Sequence, residues 1–496
     1  MLNLFKKRRQ ELPGILLIQL PPWDHRVAPL GIAYLATFLK SRGIMVEVRD
    51  LNIELYNSGV LQRGWNGNDS HWWKAGRSSN GHMPLFEGMG DTIASYDMPV
   101  IGFSATMDSI PFLNQILRIL KNKAPDKIIV IGGPATFFDE IRKNDFVKGY
   151  VDYFVIGDGE FALLEILNGL RDKGKLRLSD RGIFRVWKDH AGDRAVCIKS
   201  MLPTDLDAVP FPTFEGFDLS LYTEGMLCCD FTLPLIFSKG CTRNCTFCSD
   251  RILSHPYRCR KAGHVLREMV LNQSRYNNSC FRLNDLAFNA DLKFLEELCD
   301  CIVDEGLQVK WYGQAQIRPE IDAQLFLKLR KAGCTEFSLG LESFSDHVLS
   351  LMGKGYTAFE AERFLRFSKE AGIRNDIALI VGYPGETEED FQETLAYIKR
   401  NVAYIDRVCS MNICGAPVGS ALRAEPLKYK YMFHGRGYTD WMTLDGTNTY
   451  KVRKKRYTTA VKYCEDLGIP VYACLDLEIF EEDAPPERTD VNQLYP

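Results

Sequence analysis

Three cysteines stand within one octapeptide, Cys241-Thr-Arg-Asn-Cys245-Thr-Phe-Cys248, in a C-x3-C-x2-C spacing directly after Gly240. A loop so compact can direct three thiolates at one cubane iron–sulfur cluster and leave one iron without a protein ligand. An open metal position is what separates a site that binds and transforms a small molecule from a purely structural one. Zinc is the alternative metal, but a closed zinc site needs a fourth ligand. The 8 histidines offer no nearby pair, and the closest, His255, lies seven residues beyond Cys248.

The rest of the chain bounds what such a loop can serve. With 496 residues, 46% of them hydrophobic and 25% charged, it suits roughly two to four domains. Lys and Arg number 61 against 64 Asp and Glu, a net charge of −3, and the pI is near 6.3. Bulk charge therefore gives no sign of a nucleic-acid partner. Mean hydropathy is −0.17, and no stretch reaches the ~20 apolar residues of a membrane-spanning helix. No apolar run follows the basic opening Met1–Arg9, so a secretory signal is not expected and the expected compartment is the cytoplasm. The first of 15 cysteines is Cys197. Their odd number argues for metal ligation or buried thiols over a disulfide framework.

Two alternating series of strands and helices must position the chemistry. In the first, Gly14–Leu20, Met45–Asp50, Pro99–Phe103, Lys127–Ile131 and Tyr153–Ile156 read as buried strands. Leu30–Ser41, Ile110–Lys121 and a stretch from Glu160 read as helices, so a parallel sheet wound on both faces is predicted. Such sheets bind ligands at the carboxyl ends of their strands. The unusual residues lie there: Pro21-Pro22, Ser104-Ala105-Thr106, Gly132-Gly133-Pro134 and Gly157-Asp158-Gly159-Glu160. Between Asn57 and Asp97 the alternation lapses into a Gly-, Ser- and Asn-rich stretch with Trp65, Trp72 and Trp73, which reads as a long functional insertion. Pro203–Pro212 reads as an extended linker.

The second series opens with Leu233–Ser238, a strand running into the cysteine loop. Cys280–Leu283, Val309–Gly313, Glu336–Gly340, Ala378–Gly382 and Val408–Asn412 follow as strands. Val265–Arg275, Leu292–Glu305, Ala323–Ala332, Ala358–Ala371 and Glu388–Arg400 are the predicted helices between them. Six βα units make a partial or complete parallel barrel with its chemistry at the strand C-termini. Beyond Leu427 a helix near Arg453–Leu467, an apolar run at Ile469–Leu477 and an acidic tail from Glu481 complete the chain.

Over Leu233–Pro417 the chain resembles the radical SAM superfamily, whose signature is this cysteine spacing with an aromatic, here Phe247, before the last cysteine. The resemblance implies that Cys241, Cys245 and Cys248 hold a [4Fe-4S] cluster whose fourth iron is chelated by S-adenosylmethionine. Cleavage of that cofactor then yields a 5′-deoxyadenosyl radical. It further implies cofactor contacts from Asn284 and Asp285 to the amino group, although the family's usual Gly-Gly-Glu is absent here. Gln314, Gln316 and Arg318 follow the third strand, with Arg318 in reach of the carboxylate. Glu342 would accept from the amino or ribose groups, and Gly382-Tyr-Pro-Gly-Glu386 would flank the adenine.

The α/β domain in front of such a barrel resembles the cobalamin-binding radical SAM family, over about Gly14 to Pro417. That resemblance implies an α/β protein with a doubly wound, Rossmann-like cobalamin-binding domain over 1–200. A partial (β/α)6 radical SAM barrel over 201–425 and a small C-terminal α/β region over 426–496 would follow. Pro21, Pro22, Ser104, Ala105, Thr106, Gly132, Gly133 and Gly157 would line the corrinoid. Asp24-His25 does not match the D-x-H-x-x-G corrinoid motif, since His25 directly follows Asp24 and Gly31 lies six residues beyond His25. No histidine ligand to cobalt is therefore expected. The implied activity is methylation of an unactivated carbon in a small molecule, lipid or peptide, with an electron donor such as flavodoxin or ferredoxin and no nucleic-acid partner. A radical SAM cyclase, rearrangement or carbon–carbon coupling enzyme is the alternative. A methylthiotransferase would need a second cluster on three N-terminal cysteines, and none precedes Cys197. The remaining cysteines show no compact ligand spacing and read as buried, inert thiols.

Overall fold

The computed structural model describes residues 12–58, 79–143, 145–172, 184–188, 195–200, 205–222, 231–250, 256–435 and 437–473. The chain divides into two units, Met1–Pro234 and Leu235–Pro496.

In the first unit, β1 (Ile15–Gln19), β2 (Val46–Asp50), β3 (Val100–Ser104), β4 (Ile128–Gly132), β5 (Tyr153–Ile156), β6 (Phe184–Trp187) and β7 (Val196–Ser200) form one sheet. Its order is β2-β1-β3-β4-β5-β7-β6. All pairs are parallel except β6–β7, an antiparallel edge that periodicity did not announce. All five residues of β1 are buried, as a strand covered by helices on both faces requires. The chain passes from β2 on one side of β1 to β3 on the other, so a crevice opens at the β1/β3 ends, where doubly wound sheets take ligands.

The stretch read as an irregular insertion is regular in its second half. Ser79–Ser95 is a helix, with Phe86, Met89 and Ile93 buried. It packs on the helix Ile110–Lys123 at Gly90, where an added Cβ would stand 2.4 Å from Ile119. Trp65, Trp72 and Trp73 lie outside the described residues, as does the acidic tail. Residues 205–212 of the expected linker carry neither helix nor strand.

The second sheet is built from β8 (Leu233–Leu235), β11 (Cys280–Leu283), β12 (Lys310–Ala315), β13 (Cys334–Glu342), β14 (Arg374–Val381), β15 (Arg407–Ile413) and β18 (Val471–Ala473). The order β18-β15-β14-β13-β12-β11-β8 follows the chain throughout, read from β8. Helices Ala262–Tyr276, Leu292–Asp304, Ala323–Lys331, Ala358–Glu370 and Glu388–Arg400 alternate with these strands. Aspartate, serine or threonine N-caps fix several helix starts, with Thr357 and Thr387 in reciprocal capping boxes, so each strand-end loop is delimited by sequence. Two short antiparallel pairs complete the unit: β9 (Ser238–Lys239) with β10 (Arg258–Cys259), and β16 (Tyr431–Phe433) with β17 (Trp441–Thr443). The C-terminal stretch adds β18 as a seventh strand parallel to β15, where the sequence showed only an apolar run. Among the described residues no helix is long and apolar enough to cross a membrane.

Candidate cofactor sites

The cysteine loop lies at the C-terminal end of β8, beyond the short strand β9. Gly240, at φ +104°, turns the chain from β9 into Cys241, a conformation that favours glycine. Asp285, just after β11, is buried and fastens the preceding turn. It accepts from Phe237 N at 2.9 Å and from both Ser238 N and Ser238 Oγ at 2.6 Å. Burial pushes this carboxyl up to about 6. Sequence placed Asp285 beside Asn284 at the amino group of the cofactor. The structure engages its carboxylate with residues 237–238 and leaves Asn284 exposed at the strand end.

Residues distant in sequence hold the loop. Gln316, beyond β12, donates from Nε2 to Cys241 Sγ at 3.1 Å and accepts from Arg243 Nε at 3.3 Å. Arg243 also donates to Ile317 O, and its own N–H donates to Cys241 Sγ at 3.5 Å. Thr246, between Cys245 and Phe247, donates from N to Met352 O at 3.0 Å and accepts at O from Leu422 N at 2.8 Å. Its Oγ1 meets the hydroxyl of Tyr383 at 2.6 Å. Phe247 packs on a buried cluster that includes Val348, Met352, Tyr383 and Trp441.

Lys354 is the residue that sequence reasoning missed. It is buried, donates from Nζ to Gly340 O at 2.5 Å, and stands 3.5 Å from Glu342 Oε1. Its ammonium lies 5.7 Å from the centre of the Phe247 ring. Burial pushes Glu342 and Cys245 up, and Lys354 opposes both shifts. Glu342 itself sits at φ +73°, beside an irregularity in the β13–β14 register. Strained conformations of this kind in non-glycine residues cost on the order of 1–3 kcal/mol and cluster at functional sites. The signal available in sequence was Gly353-Lys354-Gly355: both glycines have positive φ, so the chain is shaped to present the one side chain between them.

Other expected residues are placed differently. Gln314 is exposed at the end of β12. Arg318 donates to Ala290 O at 2.7 Å and pairs with Glu320, so both edges of its guanidinium are used within the protein rather than held free for a carboxylate. Gly382, at φ +79°, has Arg453 packed against it, and an added Cβ would stand 2.2 Å from Arg453 Cγ. Glu386 accepts from Gly382 N at 2.7 Å and from Arg456 Nη1 at 2.8 Å. Among the described residues no three His, Cys, Asp or Glu side chains converge on a single metal position. What marks the cysteine loop is its donor set: half-buried thiols, N–H···S bonds to Cys241, and a buried cation beside Cys245. These fit an iron–sulfur cluster, whose sulfurs take such hydrogen bonds. Of the other cysteines, Cys299, Cys334, Cys414 and Cys464 are buried and free, whereas Cys280 is disulfide-bonded.

The first unit presents a different kind of site. Ala105 N donates to Gly132 O, and Ala135 N donates to Ala105 O, both at 3.0 Å, which ties the β3 and β4 ends together. Gly133, at φ +90°, allows this: an added Cβ would stand 2.8 Å from Ala105 O. Gly132 and Gly157, by contrast, face open space, with nothing within 4 Å of an added Cβ among the described residues. Pro21 is buried and Pro22 half-buried after β1, and Ser104 is half-buried at the end of β3. Among the described residues Glu160 Oε2 is buried without a hydrogen-bond partner, and buried Thr106 Oγ1 has only the capping contact with Ser109 N. An unpartnered buried oxygen beside open glycines fits a large ligand rich in amide groups. His25 stacks on Tyr56 with ring centres 4.2 Å apart, and Asp24 pairs with Arg26.

Comparison with known proteins agrees with this geometry. The model of the Radical SAM superfamily matches residues 235–398. An uncharacterised methyltransferase of Pyrococcus horikoshii is 22% identical over 400 residues, which cover 78% of each chain. The anaerobic magnesium-protoporphyrin IX monomethyl ester cyclase of Rubrivivax gelatinosus is 26% identical over 309 residues, 61% of this chain. That match covers 54% of the cyclase, so the chain spans about half its length. Among solved structures, the radical S-adenosylmethionine methyltransferase TsrM of Kitasatospora setae, with cobalamin and a [4Fe-4S] cluster bound, aligns with a TM-score of 0.61. The alignment is at 17% identity and covers 95% of this chain and 92% of that one. Residues 235–398 thus carry a Radical SAM domain, and the α/β unit followed by this domain has the fold of the methyltransferase TsrM.

Proposed function

We propose that the protein is a cobalamin-dependent radical SAM methyltransferase acting on an unactivated carbon. The observation that carries this reading is the pairing of two sites in one chain: a cysteine loop locked by Gln316, Thr246 and the Glu342–Lys354 pair, and a doubly wound sheet with open glycine-lined strand ends. When bound, the cluster with S-adenosylmethionine supplies hydrogen abstraction from carbon, and the corrinoid supplies a transferable methyl group.

The protein's own tasks follow from its contacts. Cys241, Cys245 and Cys248 would hold the cluster, with the hydrogen bond from Gln316 and the charge of Lys354 tuning the thiolates. Glu342, kept beside Lys354, would orient the amino end of S-adenosylmethionine, and exposed Asn284 and Gln314 are free to contribute from neighbouring strand ends. Residues 382–386 would border the adenine. In the first unit Thr106, Ser104 and the backbone around Gly132, Gly133 and Gly157 would hold the corrinoid. Pro21 and Pro22 would shape the β1 side. The stacking of His25 on Tyr56 supports a corrinoid without a protein imidazole on cobalt. The substrate would be a small molecule, lipid or peptide and the electron donor a flavodoxin or ferredoxin. The compartment would be the cytoplasm.

Anaerobic purification with iron, sulfide and corrinoid quantified is the first test, and a protein that binds no corrinoid defeats the reading. His25→Ala should leave the electron paramagnetic resonance of the cob(II)alamin form unchanged. With methyl-labelled S-adenosylmethionine, each methylated product should accompany one S-adenosylhomocysteine and one 5′-deoxyadenosine. The 26% identity to a cyclase favours one second reading, ring closure or rearrangement. Product and 5′-deoxyadenosine without label transfer or S-adenosylhomocysteine would establish that instead.

A further inference from the structure

Arg453 lies in the helix Tyr450–Asp466, far along the chain from the cysteine loop, yet it is wholly buried. Among the described residues its guanidinium hydrogen-bonds only to uncharged groups. Nη2 donates to Thr439 O and Trp441 O, each at 2.8 Å. Nη1 donates to Asn448 Oδ1 at 3.2 Å, and the guanidinium carbon lies 3.6 Å from the centre of the Trp441 ring. Burial pulls its pKa down to about 10, and the carboxylate of Asp440, which makes no direct ion pair with it among the described residues, opposes this only in part. A cation buried without a direct ion pair is costly, and a methionine could fill a similar volume without that cost. The charge must therefore accomplish something that packing does not.

Its contacts show what that is. With Oδ1 of Asn448 facing Arg453, the amide has one orientation, and Nδ2 points at the strand-end loop after β14. It donates to Gly382 O and to Tyr383 O, each at 3.1 Å. The stem of Arg453 occupies the space where any side chain at position 382 would lie. Tyr383, buried, carries its hydroxyl to Thr246 Oγ1 at 2.6 Å, and Thr246 is flanked by Cys245 and Phe247. A continuous route of hydrogen bonds, passing through the Asn448 amide and through Tyr383 itself, thus runs from the C-terminal helix into the cysteine loop.

We propose that Arg453 is a positioning residue of the cofactor site, acting through Asn448 and Tyr383 to hold both the 382–386 loop and the middle of the cysteine loop. The inference rests on the reading of those two loops as the cluster and S-adenosylmethionine site. Partners that hydrogen-bond metal ligands directly typically carry about 10–100-fold in metal affinity or activity, and Asn448 and Arg453 act from further out.

The test uses the full chain, reconstituted anaerobically, with three measurements: iron and sulfide content, the electron paramagnetic resonance of the reduced cluster, and the dissociation constant of S-adenosylmethionine. Asn448→Ala should keep wild-type iron and sulfide but weaken S-adenosylmethionine several-fold, up to about tenfold, and should shrink the spectral change that the cofactor induces. Arg453→Met should do the same, and Arg453→Lys should recover part of the loss. Tyr383→Phe, which deletes one oxygen, should alter the spectrum of the reduced cluster before any cofactor is added. Unchanged spectrum and affinity within twofold in Asn448→Ala would overturn the proposal. If the Asn448 and Arg453 variants fail to fold, Tyr383→Phe decides by the same criterion. A wild-type protein that binds no cluster or cofactor would instead defeat the functional reading itself, a distinct outcome.

Discussion

The two sheets are alike in construction and opposite in how they prepare a site. Both are largely parallel, and both gather their unusual residues at the C-terminal strand ends. In the first unit those ends offer space and backbone: among the described residues Gly132 and Gly157 face open volume, and Glu160 Oε2 is buried without a partner. In the second, they offer committed side chains, with Gln316 on Cys241, Lys354 on Glu342 and Tyr383 on Thr246. A bulky cofactor with many donors and acceptors of its own needs room and a few unsatisfied groups. A small reactive cluster has its reactivity set by fixed neighbours, so its neighbours must be fixed before it binds.

The largest expected effect separates the two sites outright. Replacing Cys241, Cys245 and Cys248 together by alanine should abolish the broad visible absorption of the cluster and all cleavage of S-adenosylmethionine. Corrinoid content should be unchanged, because among the described residues no cysteine lies at the C-terminal strand ends of the first unit. Surviving cleavage would break the comparison at its root.

Next, Lys354→Met should destabilise the second unit by about 3–5 kcal/mol, the scale on which removing one partner strands the other's buried charge. The double variant Lys354→Met, Glu342→Gln should recover much of it. Urea unfolding of the single and double variants gives both numbers, and equal losses would show that the pair is not energetically linked.

Gly133→Ala probes the first unit. The added methyl meets Ala105 backbone at 2.8 Å in a left-handed conformation, so a cost of about 1–3 kcal/mol is expected, with corrinoid binding weakened and the iron content untouched. Gly132→Ala, which meets nothing, should leave stability within about 0.5 kcal/mol. Equal effects of the two would mean that open space and close approach are not distinguished there.

The most gradual effect, spread over about three pH units, is a pH dependence. Asp50, at the end of β2, accepts from Tyr222 Oη at 2.8 Å and caps the helix Leu51–Asn57, and burial raises its pKa to about 7. Because the folded state binds this proton more tightly than the unfolded chain, the contribution is complete below about pH 4 and is lost as pH rises through 7. Asp50→Asn, which keeps the capping oxygen, should flatten the decline in stability between about pH 4 and 7 by up to about 1.4 kcal/mol per pH unit. A slope unchanged by the substitution would show that Asp50 is ionised throughout.

Much of the framework was legible in sequence. Tyr153–Ile156, Cys280–Leu283 and Glu388–Arg400 occur as read, because apolar period and helix caps are local properties. The helix Ser79–Ser95 was not legible, since Gly81, Pro84, Gly88 and Gly90 argue against it residue by residue. It forms because Gly90 lets it lie against Ile119, a case of packing overriding propensity. Strands β6 and β7 escaped because their buried stretch is short: in β7 Cys197 and Ile198 are buried between half-buried Val196 and exposed Lys199.

At the candidate site the division is equally physical. The sequence by itself determined the three thiols, since three and two intervening residues hold them on one short loop whatever the fold. It also determined that strand-end glycines and prolines gather at one edge of each sheet, since alternating βα units place every such loop at the same end. Which side chains support the thiols was decided only by tertiary structure. Gln316 lies 75 residues from Cys241, and Tyr383 lies 137 from Thr246. No local spacing encodes such pairs; the order β14-β13-β12-β11-β8 brings their loops together. The same holds for Asp285 and Arg318, whose residue types suggested cofactor contacts: the competition for hydrogen-bond partners inside the folded chain, invisible in sequence, assigned them to Ser238 and to Ala290 and Glu320.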